Sequence, residues 1–407
     1  MRLWSVTMAR LLNDWIEAYL EFVKDTEPPR MFHLWCAIST VAAALQRKVW
    51  LQWGTITFYP NMYIVLVAPS GRARKGTAIG PALDIMTSLN IPLAAEAITR
   101  EALIRELCNA KEPIPDLDGL TSSTVHSSLT IISPELTVFL GYHNQQLLSD
   151  LTDWYDCRKR WRYRTKNMGE DDIYGVWVNL LGATTPDLLR SALPMDAIGG
   201  GLTSRIIFVF EEDKGKIAPA PVFLDKELQD KLYHDIEEIH MMRGPYRITP
   251  GFLDLWVEWY IKQHENPPFN DPRLDGYVER RPTHVMKLSM IISAARRPTL
   301  EVTGHDLQDA IDILTATERK MPKAFSGVGM NSTSAVMERI MGEIGLRGKI
   351  QKGELYNLVR FDVSYRDFED IMRGIETTGF AKKVVEDGDV FYVHISNTEQ
   401  KEVKDEV

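Results

Sequence analysis

A run of small and basic residues between an apolar segment and a helix start is the strongest chemical signal in this sequence. Met62 to Val67 is apolar, Ala68-Pro69-Ser70-Gly71-Arg72-Ala73-Arg74 follows, and Lys75-Gly76-Thr77 opens a helical stretch. Backbone N–H groups in such a turn point at an anion, and the helix N-terminus adds the positive end of its dipole. The segment therefore predicts a phosphate-binding loop.

The loop also offers side chains that suit a nucleotide. A lysine there reaches the β- and γ-phosphates, and a hydroxyl binds Mg²⁺. ATP and Mg²⁺ are thus the expected cofactors, with Thr77 as the metal ligand and Ser70, Gly71, Arg74, Lys75, Gly76 and Thr77 as nucleotide contacts. The pattern departs from G-x-x-x-x-G-K-[ST], since Ala68 stands at the first glycine and a glycine follows the lysine. The alternative is a plain strand–turn–helix with a solvated basic turn.

Two later apolar segments end in residues that suit hydrolysis. Leu129 to Ile132 is followed by Ser133-Pro134-Glu135, which makes Glu135 the candidate activator of water and leaves Pro134 where a second acid is usual. Trp177 to Leu181 leads into Gly182-Ala183-Thr184-Thr185, and Thr184 is the candidate γ-phosphate sensor. The alternatives are a turn or capping carboxylate for Glu135 and helix capping before Pro186 for the threonines.

Three arginines are candidates to stabilise the negative charge that develops on the phosphate during phosphoryl transfer. Arg205 follows a glycine turn and precedes the apolar segment Ile206–Phe210, a position that fits an arginine finger reaching a neighbouring subunit. Arg280 and Arg281 open an apolar helix, where cations oppose the helix dipole and so suit an external anion. The alternative for Arg205 is a surface arginine beside a flexible turn.

A dense basic segment is the candidate DNA contact. Arg162 and Arg164 alternate along a predicted strand, Trp161–Thr165, and Lys166 follows in the turn before a second predicted strand, Ile173–Leu181. The alternative is an edge hairpin whose charges discourage strand pairing.

These residues need an α/β framework to hold them. Period-2 and apolar runs predict strands at Val49–Trp53, Met62–Val67, Leu129–Ile132 and Ile206–Phe210, with helices at Arg30–Gln46, Thr77–Leu89, Ile98–Ala110 and Leu147–Tyr155. The chain from 225 to 324 has a helical pattern almost throughout, and 335–395 predicts three helices and a hairpin turned at Asp387-Gly388.

Length and composition predict several domains. The 407 residues exceed one compact core, and 44% hydrophobic with 25% charged residues is ordinary for a globular protein. No apolar run approaches the roughly 20 residues that a membrane span needs, and no signal peptide is evident, so we expect a cytoplasmic protein that does not bind membranes. A net charge of −9 argues against binding of polyanions over the whole surface.

In this order, the four motifs resemble the AAA+ superfamily of P-loop ATPases. Gly201-Leu202-Thr203-Ser204-Arg205-Ile206-Ile207-Phe208 resembles the arginine-finger segment of minichromosome-maintenance-like replicative helicases, and Arg280 with Lys287 matches the spacing of their second-sensor helix. The loop is similar to that of phage and plasmid primase–helicase ATPases, and the C-terminal part is similar to a winged-helix domain. The resemblance implies an α/β fold with an N-terminal helical segment (1–48), an AAA+ P-loop core (49–215), an α-helical lid (216–325), a winged-helix domain (335–396) and an acidic tail (397–407).

The function implied by the resemblance is an ATP-driven DNA helicase or translocase for replication of a phage or mobile element, inside a bacterial host cell if phage-encoded. It would act as a homo-hexameric ring on single-stranded or forked DNA, with other replication proteins bound through the winged-helix domain. Two alternatives stay open: an AAA+ helicase loader or replication initiator, and a winged-helix DNA-binding protein that senses nucleotide without hydrolysing it.

Overall fold

The structure is a computed structural model that describes residues 9–114, 124–141, 144–165, 169–192, 201–269, 271–325, 332–386 and 388–395. The chain forms two compact units, Met1–Ser326 and Gly327–Val407. The predicted α/β class is confirmed, because helices alternate with strands that pair in parallel. Lys166 and the predicted acidic tail lie outside the described residues.

The larger unit contains most of the helices and strands. Its helices are α1 (Trp15–Val23), α2 (Arg30–Leu45), α3 (Lys75–Ser88), α4 (Arg100–Asn109), α5 (Leu136–Leu140), α6 (Gln145–Tyr155), α7 (Pro186–Ala192), α8 (Lys226–His240), α9 (Pro250–Glu265), α10 (Asp275–Arg296), α11 (Gly304–Glu318) and α12 (Met321–Ala324). Its strands are β1 (Val49–Trp53), β2 (Ile56–Phe58), β3 (Tyr63–Val67), β4 (Lys111–Ile114), β5 (Thr124–Ser133), β6 (Arg160–Thr165), β7 (Gly169–Tyr174), β8 (Val176–Thr184), β9 (Ile206–Phe210), β10 (Gly244–Ile248) and β11 (Glu301–Val302).

A five-stranded sheet forms the core of this unit, in the order β4-β5-β8-β3-β9. The strands β5, β8, β3 and β9 are parallel, and only β4 runs antiparallel to its neighbour β5. Every residue of β3, β8 and β9 is buried, as expected for central strands covered on both faces. Helix α2 packs against β3, β8 and β9, so the predicted N-terminal helices are part of the same core.

A second sheet joins segments that are far apart in the sequence. Its order is β11-β10-β1-β2, with β1 parallel to β10 and antiparallel to β2. The strands β10 and β11 interrupt the region expected to be helical throughout, so that expectation is wrong for these seven residues. Their short lengths hide them from a periodicity analysis, since β10 is stabilised by pairing with β1, and β11 by pairing with β10.

The basic hairpin is shorter than predicted. The strand expected over Ile173–Leu181 is in fact two strands, β7 and β8, which separate at Gly175. Gly175 has φ +58, and a Cβ there would lie 2.6 Å from the carbonyl oxygen of Val125. Only glycine fits this turn, and the hairpin therefore consists of β6 and β7 alone, while β8 enters the core sheet.

In its described residues, 332–386 and 388–395, the smaller unit contains three helices and three strands. These are α13 (Ser332–Arg347), β12 (Lys349–Gln351), α14 (Lys352–Val359), α15 (Tyr365–Thr377), β13 (Ala381–Glu386) and β14 (Asp389–His394). The predicted helices and hairpin are confirmed, and β12 is an additional strand that pairs with β14. Apolar side chains such as Ile340, Leu355, Phe368 and Tyr392 form its core.

Among the helices of the described residues, none has both the length and the apolar character needed to cross a bilayer.

Candidate functional site

The parallel sheet brings the predicted loop, Glu135 and Thr184 to one edge. Val67 at the end of β3 is paired with Thr184 at the end of β8, and Ser133 at the end of β5 is paired with Gly182. The backbone N–H of Ala68 donates to the carbonyl of Thr184 at 3.3 Å. Since ligands of open α/β sheets bind outside the carboxyl ends of the strands, this edge is the candidate nucleotide site.

The loop is a surface turn that leads directly into α3. Gly71 and Arg74 have positive φ values of +73 and +54, and α3 begins at the next residue, Lys75. Ser70, Gly71, Arg74, Gly76 and Thr77 are exposed, so their backbone groups are open to a ligand. The first N–H groups of a helix have no acceptor within it, and α3 therefore presents donors at the carboxyl edge.

Lys75 folds back over the loop. Its Nζ donates to the carbonyl oxygen of Ala68 at 2.8 Å, and the side chain is half-buried. Burial lowers the pKa of Lys75, and the carboxylate of Glu135 acts in the opposite direction. The lysine and the glutamate, which are 60 residues apart in the sequence numbering, thus lie close enough to interact.

Glu135 is available for chemistry. It occupies the position before α5, where a side-chain cap would be expected, but its carboxylate makes no capping hydrogen bond. The residue is exposed, directly after Ser133 and Pro134 at the end of β5. The capping alternative for Glu135 is therefore not supported.

The two threonines at the end of β8 differ in their roles. The hydroxyl of Thr185 accepts from the N–H of Leu188 at 3.2 Å and so caps α7. Thr184 is buried, and its hydroxyl has only a 3.4 Å contact with the carbonyl of Thr185. Thr184 does not cap the helix, but at 1% exposure its hydroxyl is not open to a ligand in this structure.

The oxygen ligands at this edge are few, which suits a metal that arrives with a nucleotide. Magnesium in such sites takes one or two protein oxygens and completes its shell with phosphate and water. Thr77 is the candidate protein ligand here, and within the described residues no cluster of three His, Cys, Asp or Glu side chains could hold a metal by itself.

Two loop arginines already have carboxylate partners. Arg74 donates to Glu27 at 2.8 Å, and Arg72 lies 3.7 Å from Asp213, which follows β9. The Arg72 pair is exposed to water, where ion pairs contribute little stability, whereas Glu27 is only 19% exposed and also pairs with Lys214. A phosphate can therefore replace the carboxylate on Arg72 at small cost.

Arg205 lies at the opposite, amino-terminal edge of the sheet. It precedes Ile206, which is paired with Tyr63 at the start of β3. The length of β3 then separates it from Ala68 by roughly 16 Å, more than an arginine side chain can span. The structure does not bring Arg205 to the loop of its own chain.

Asp156 holds Arg205 and Arg280 together at that edge. Arg205 Nη2 donates to Asp156 Oδ2 at 2.6 Å, and Arg280 Nη1 to Asp156 Oδ1 at 3.3 Å. The Arg205 side chain is 7% exposed, and that of Arg280 is 33% exposed. One carboxylate thus accepts hydrogen bonds from two guanidinium groups.

A buried lysine adds more positive charge to the same place. Lys287 donates to Asn61 Oδ1 at 2.6 Å and lies 3.8 Å from the centre of the Tyr155 ring. Burial lowers its pKa to about 8, so the ammonium form still predominates at neutral pH. Arg205, Arg280 and Lys287 together outnumber the single acid Asp156.

Arg281 is engaged elsewhere. Its guanidinium donates to both carboxylate oxygens of Glu318 on α11, at 2.7 and 2.9 Å, and both side chains are buried. This pair joins α10 to α11, and the structure does not bring Arg281 to the loop. Of the two adjacent arginines, only Arg280 is open to a ligand.

The hairpin carries acids as well as bases. Arg162 and Arg164 lie on one face, as the alternation predicted, and both approach Glu170 on β7, at 3.6 and 2.8 Å. Arg160 is likewise paired with Asp172. The described part of the hairpin is therefore less basic than its first strand suggests.

The residue that sequence reasoning missed is Asp156. It lies between α6 and the basic segment. It accepts hydrogen bonds from Arg205 and Arg280, which are 49 and 124 positions away in the sequence. The one available signal is its position, two residues before the dense basic segment that begins at Arg158.

No protein-family model matches this chain, and its sequence has no significant match among curated proteins.

Proposed function

We propose that this chain is an ATP-driven motor of the AAA+ type, which assembles as a ring and acts as a DNA helicase or translocase. The observation that carries this proposal is the division of phosphate-binding groups between two opposite edges of one parallel sheet. Lys75, Glu135 and Thr184 belong to the carboxyl edge, while Arg205 and Arg280 belong to the amino-terminal edge. Such a division suits a composite site in which each nucleotide lies between two subunits.

In this mechanism the loop of one subunit binds ATP and the next subunit completes the site. Lys75 would leave the carbonyl of Ala68 and bind the phosphates, and Glu135 would accept a proton from the attacking water. Arg205 and Arg280 of the neighbour would exchange Asp156 for the γ-phosphate as charge develops there. Mg²⁺, when bound, would neutralise part of the phosphate charge.

We infer that the smaller unit is a winged-helix domain. Its order of elements, three helices with one strand between the first two and a terminal hairpin, supports this assignment. Helix α15 carries two arginines and four acids, a net charge of −2. An acidic helix repels phosphate, so this domain is better suited to docking another replication protein than to reading DNA.

One observation favours a second function, a nucleotide-sensing protein that does not hydrolyse ATP. Pro134 stands where a second acid would help to hold the metal. ATP turnover that rises on addition of single-stranded DNA would separate the motor from the sensor. Strand displacement on a forked duplex would separate the helicase from a loader or initiator.

Mixed rings test the composite site. Arg205→Ala and Arg280→Ala should bind ATP normally, while turnover falls about 10³-fold or more because the arginine finger is lost. Lys75→Ala should lose binding and turnover. Mixing Lys75→Ala with Arg280→Ala should restore part of the activity, because some interfaces then combine an intact loop with an intact arginine.

The matched control is Arg339→Ala, since Arg339 is also an exposed arginine paired with a carboxylate, Asp362, and it belongs to the smaller unit. It should leave turnover unchanged. A monomer with full ATPase activity, or no recovery in any mixture of folded variants, would contradict the composite site.

A further inference from the structure

A cleft of about 760 Å³ opens at the amino-terminal edge of the core sheet, where the hairpin joins it. Three aromatic side chains line it, namely Trp50 on β1, Tyr59 just after β2 and Tyr174 at the end of β7. The volume falls within the range of small-molecule sites. This cleft lies at the edge opposite to the candidate ATP loop.

The charge of the cleft is one-sided. Arg47, Lys111 and Lys159 line it, and no described lining residue is an aspartate or glutamate. Lys111 and Lys159 are exposed and make no ion pair within the described part of the chain, in contrast to the arginines of the hairpin. Glu112, the neighbour of Lys111 on β4, is not among the lining residues, although it is paired with His126 across the ladder and so lies on the same face of the sheet as that histidine.

Aromatic rings and cations are in direct contact here. The guanidinium of Arg47 lies 3.9 Å from the centre of the Tyr59 ring, and the ammonium of Lys111 lies 5.4 Å from that of Tyr174. Arg47 is fixed by hydrogen bonds to the carbonyls of Cys157 and Val176, both at 2.7 Å. The position of Tyr59 is therefore supported by a rigid, buried cation.

One of the residues that line the cleft carries an unpartnered polar atom. His126 lines it, its side chain is 1% exposed, and its Nε2 has no hydrogen-bond partner among the described residues. The other ring nitrogen, Nδ1, lies 2.7 Å from the Ser128 hydroxyl. Burial, together with the nearby charges of Lys48 and Arg47, lowers the pKa of His126 to about 4, so the ring is neutral at pH 7. A buried nitrogen without a protein partner needs one from outside the chain, and a bound ligand or a water molecule supplies it.

We propose that this cleft binds one nucleotide of a single strand of nucleic acid. The base stacks on the aromatic side chains, the neutral imidazole of His126 bonds an edge of the base, and Lys111 and Lys159 hold the flanking phosphates. Stacking platforms combined with unpaired cations are how proteins bind single strands without reading sequence. The inference rests on the proposed function only in that the strand would be the DNA on which the motor acts.

Photocrosslinking tests the site directly. A single-stranded oligonucleotide carrying 5-iododeoxyuridine is irradiated with the full-length chain in the absence of ATP, and the crosslinked peptides are mapped by mass spectrometry. We expect crosslinks at Trp50, Tyr59 or Tyr174. The same experiment with Lys75→Ala should give the same crosslinks, which separates this site from the ATP loop.

Binding measurements with matched variants complete the test. Tyr174→Ala should weaken oligonucleotide binding about 10-fold, within the range known for one stacked base, and Tyr174→Phe should bind as wild type because the ring is kept. Lys111→Ala should lower the slope of log affinity against log salt by about 0.7. Phe223→Ala, at a residue that is 91% exposed and far from the cleft in sequence, should have no effect.

Three results would overturn the proposal. The first is crosslinking only outside the cleft. The second is equal crosslinking by 5-iododeoxyuridine monophosphate, which would assign the cleft to a free nucleotide. The third is an unchanged affinity of Tyr174→Ala together with full competition by dextran sulfate, which would reduce the site to a simple cationic surface. A failed ATPase assay would not affect any of these measurements.

Discussion

Lys75 and Glu135 come from the ends of two strands that are not neighbours, since β8 lies between them in the sheet. Their charges interact nonetheless, because the carboxylate of Glu135 opposes the effect of burial on the pKa of Lys75. Glu135 makes no capping hydrogen bond, and so its position is not explained by the start of α5. At the scale of single residues, this pair is the core of the proposed ATPase.

Glu135→Gln tests the role of that carboxylate. An amide cannot accept a proton from water, so hydrolysis should fall about 10²- to 10⁴-fold while the affinity for ATP stays the same. Turnover and binding of a fluorescent ATP analogue are the measurements, and Glu96→Gln, at another exposed glutamate, is the control. Loss of nucleotide binding in the Glu135 variant would show that the residue is structural.

Asp156 illustrates a different kind of residue. It binds two arginines and contacts no part of the loop, so its effect on the proposed chemistry passes through Arg205 and Arg280. Water reaches the pair with Arg280, whose side chains are 33% and 39% exposed, and screens it, whereas the Arg205 side chain is only 7% exposed. Asp156 is therefore a positioning residue in the proposed ring.

Among the elements, the β6–β7 hairpin depends most on a single backbone position. Gly175 allows the chain to leave the hairpin and enter β8 in close contact with Val125. Gly54 has nearly the same φ, +57 against +58, but a Cβ there would meet no atom within 4 Å. Substitutions at these two glycines therefore distinguish the energetic cost of the left-handed backbone conformation from the cost of the close contact with Val125.

We expect Gly54→Ala to lower the free energy of unfolding by about 1 kcal/mol, the cost of a left-handed alanine. Gly175→Ala should cost about 1–3 kcal/mol more, because its Cβ would press against a backbone oxygen that cannot rotate away. Urea denaturation of both variants is the measurement. Equal losses would show that the contact with Val125 is easily relieved.

The charges of the hairpin give a second test at this scale. Glu170 neutralises Arg162 and Arg164, so Glu170→Gln should strengthen binding of single-stranded DNA, and Arg164→Ala should weaken it and lower the salt slope by about 0.7. Affinity at several salt concentrations is the measurement, with Arg30→Ala, at an exposed arginine paired with Glu17, as the control. If neither variant changes the slope, the hairpin is a structural edge, and DNA contact lies elsewhere.

Across the larger unit, several histidines are held in the neutral form. Burial lowers the pKa of His33, His126 and His240 to about 4 and that of His284 to about 3. The ordinary value is near 6.5, so the unfolded chain takes up protons on these rings before the folded chain does. Their contribution to stability is complete above pH 6.5 and is lost as the pH falls towards 4.

We therefore expect the urea midpoint of the larger unit to fall steeply between pH 6.5 and pH 4. Each buried histidine contributes up to about 1.4 kcal/mol per pH unit to this slope. His284→Gln should reduce the slope by one such contribution, while His305→Gln, at an exposed histidine, should not. The same slope in wild type and His284→Gln would contradict the assignment.

Local patterns determined much of this molecule. The apolar run Tyr63–Val67, the glycine and the lysine that follow it, and the start of α3 were predictable because each depends on neighbours within a few residues. The same holds for α2, β1 and β9, whose predicted bounds differ from the observed ones by one residue or none. Glu135 and Thr184 were identified because strand ends are visible in hydrophobic patterning.

Only the tertiary structure decided which strand ends lie side by side at one edge of the sheet. Parallel pairing puts Thr184 beside Val67 and sends Arg205 to the far edge, and no local signal carries that order. The ion pairs of Asp156 with Arg205 and Arg280, and that of Arg281 with Glu318, likewise join distant segments. The same is true of the cleft, which is lined by Trp50, Tyr59, Tyr174 and His126. The physical reason is that strand order and ion pairing are set by long-range packing, whereas periodicity reports only the face that each element buries.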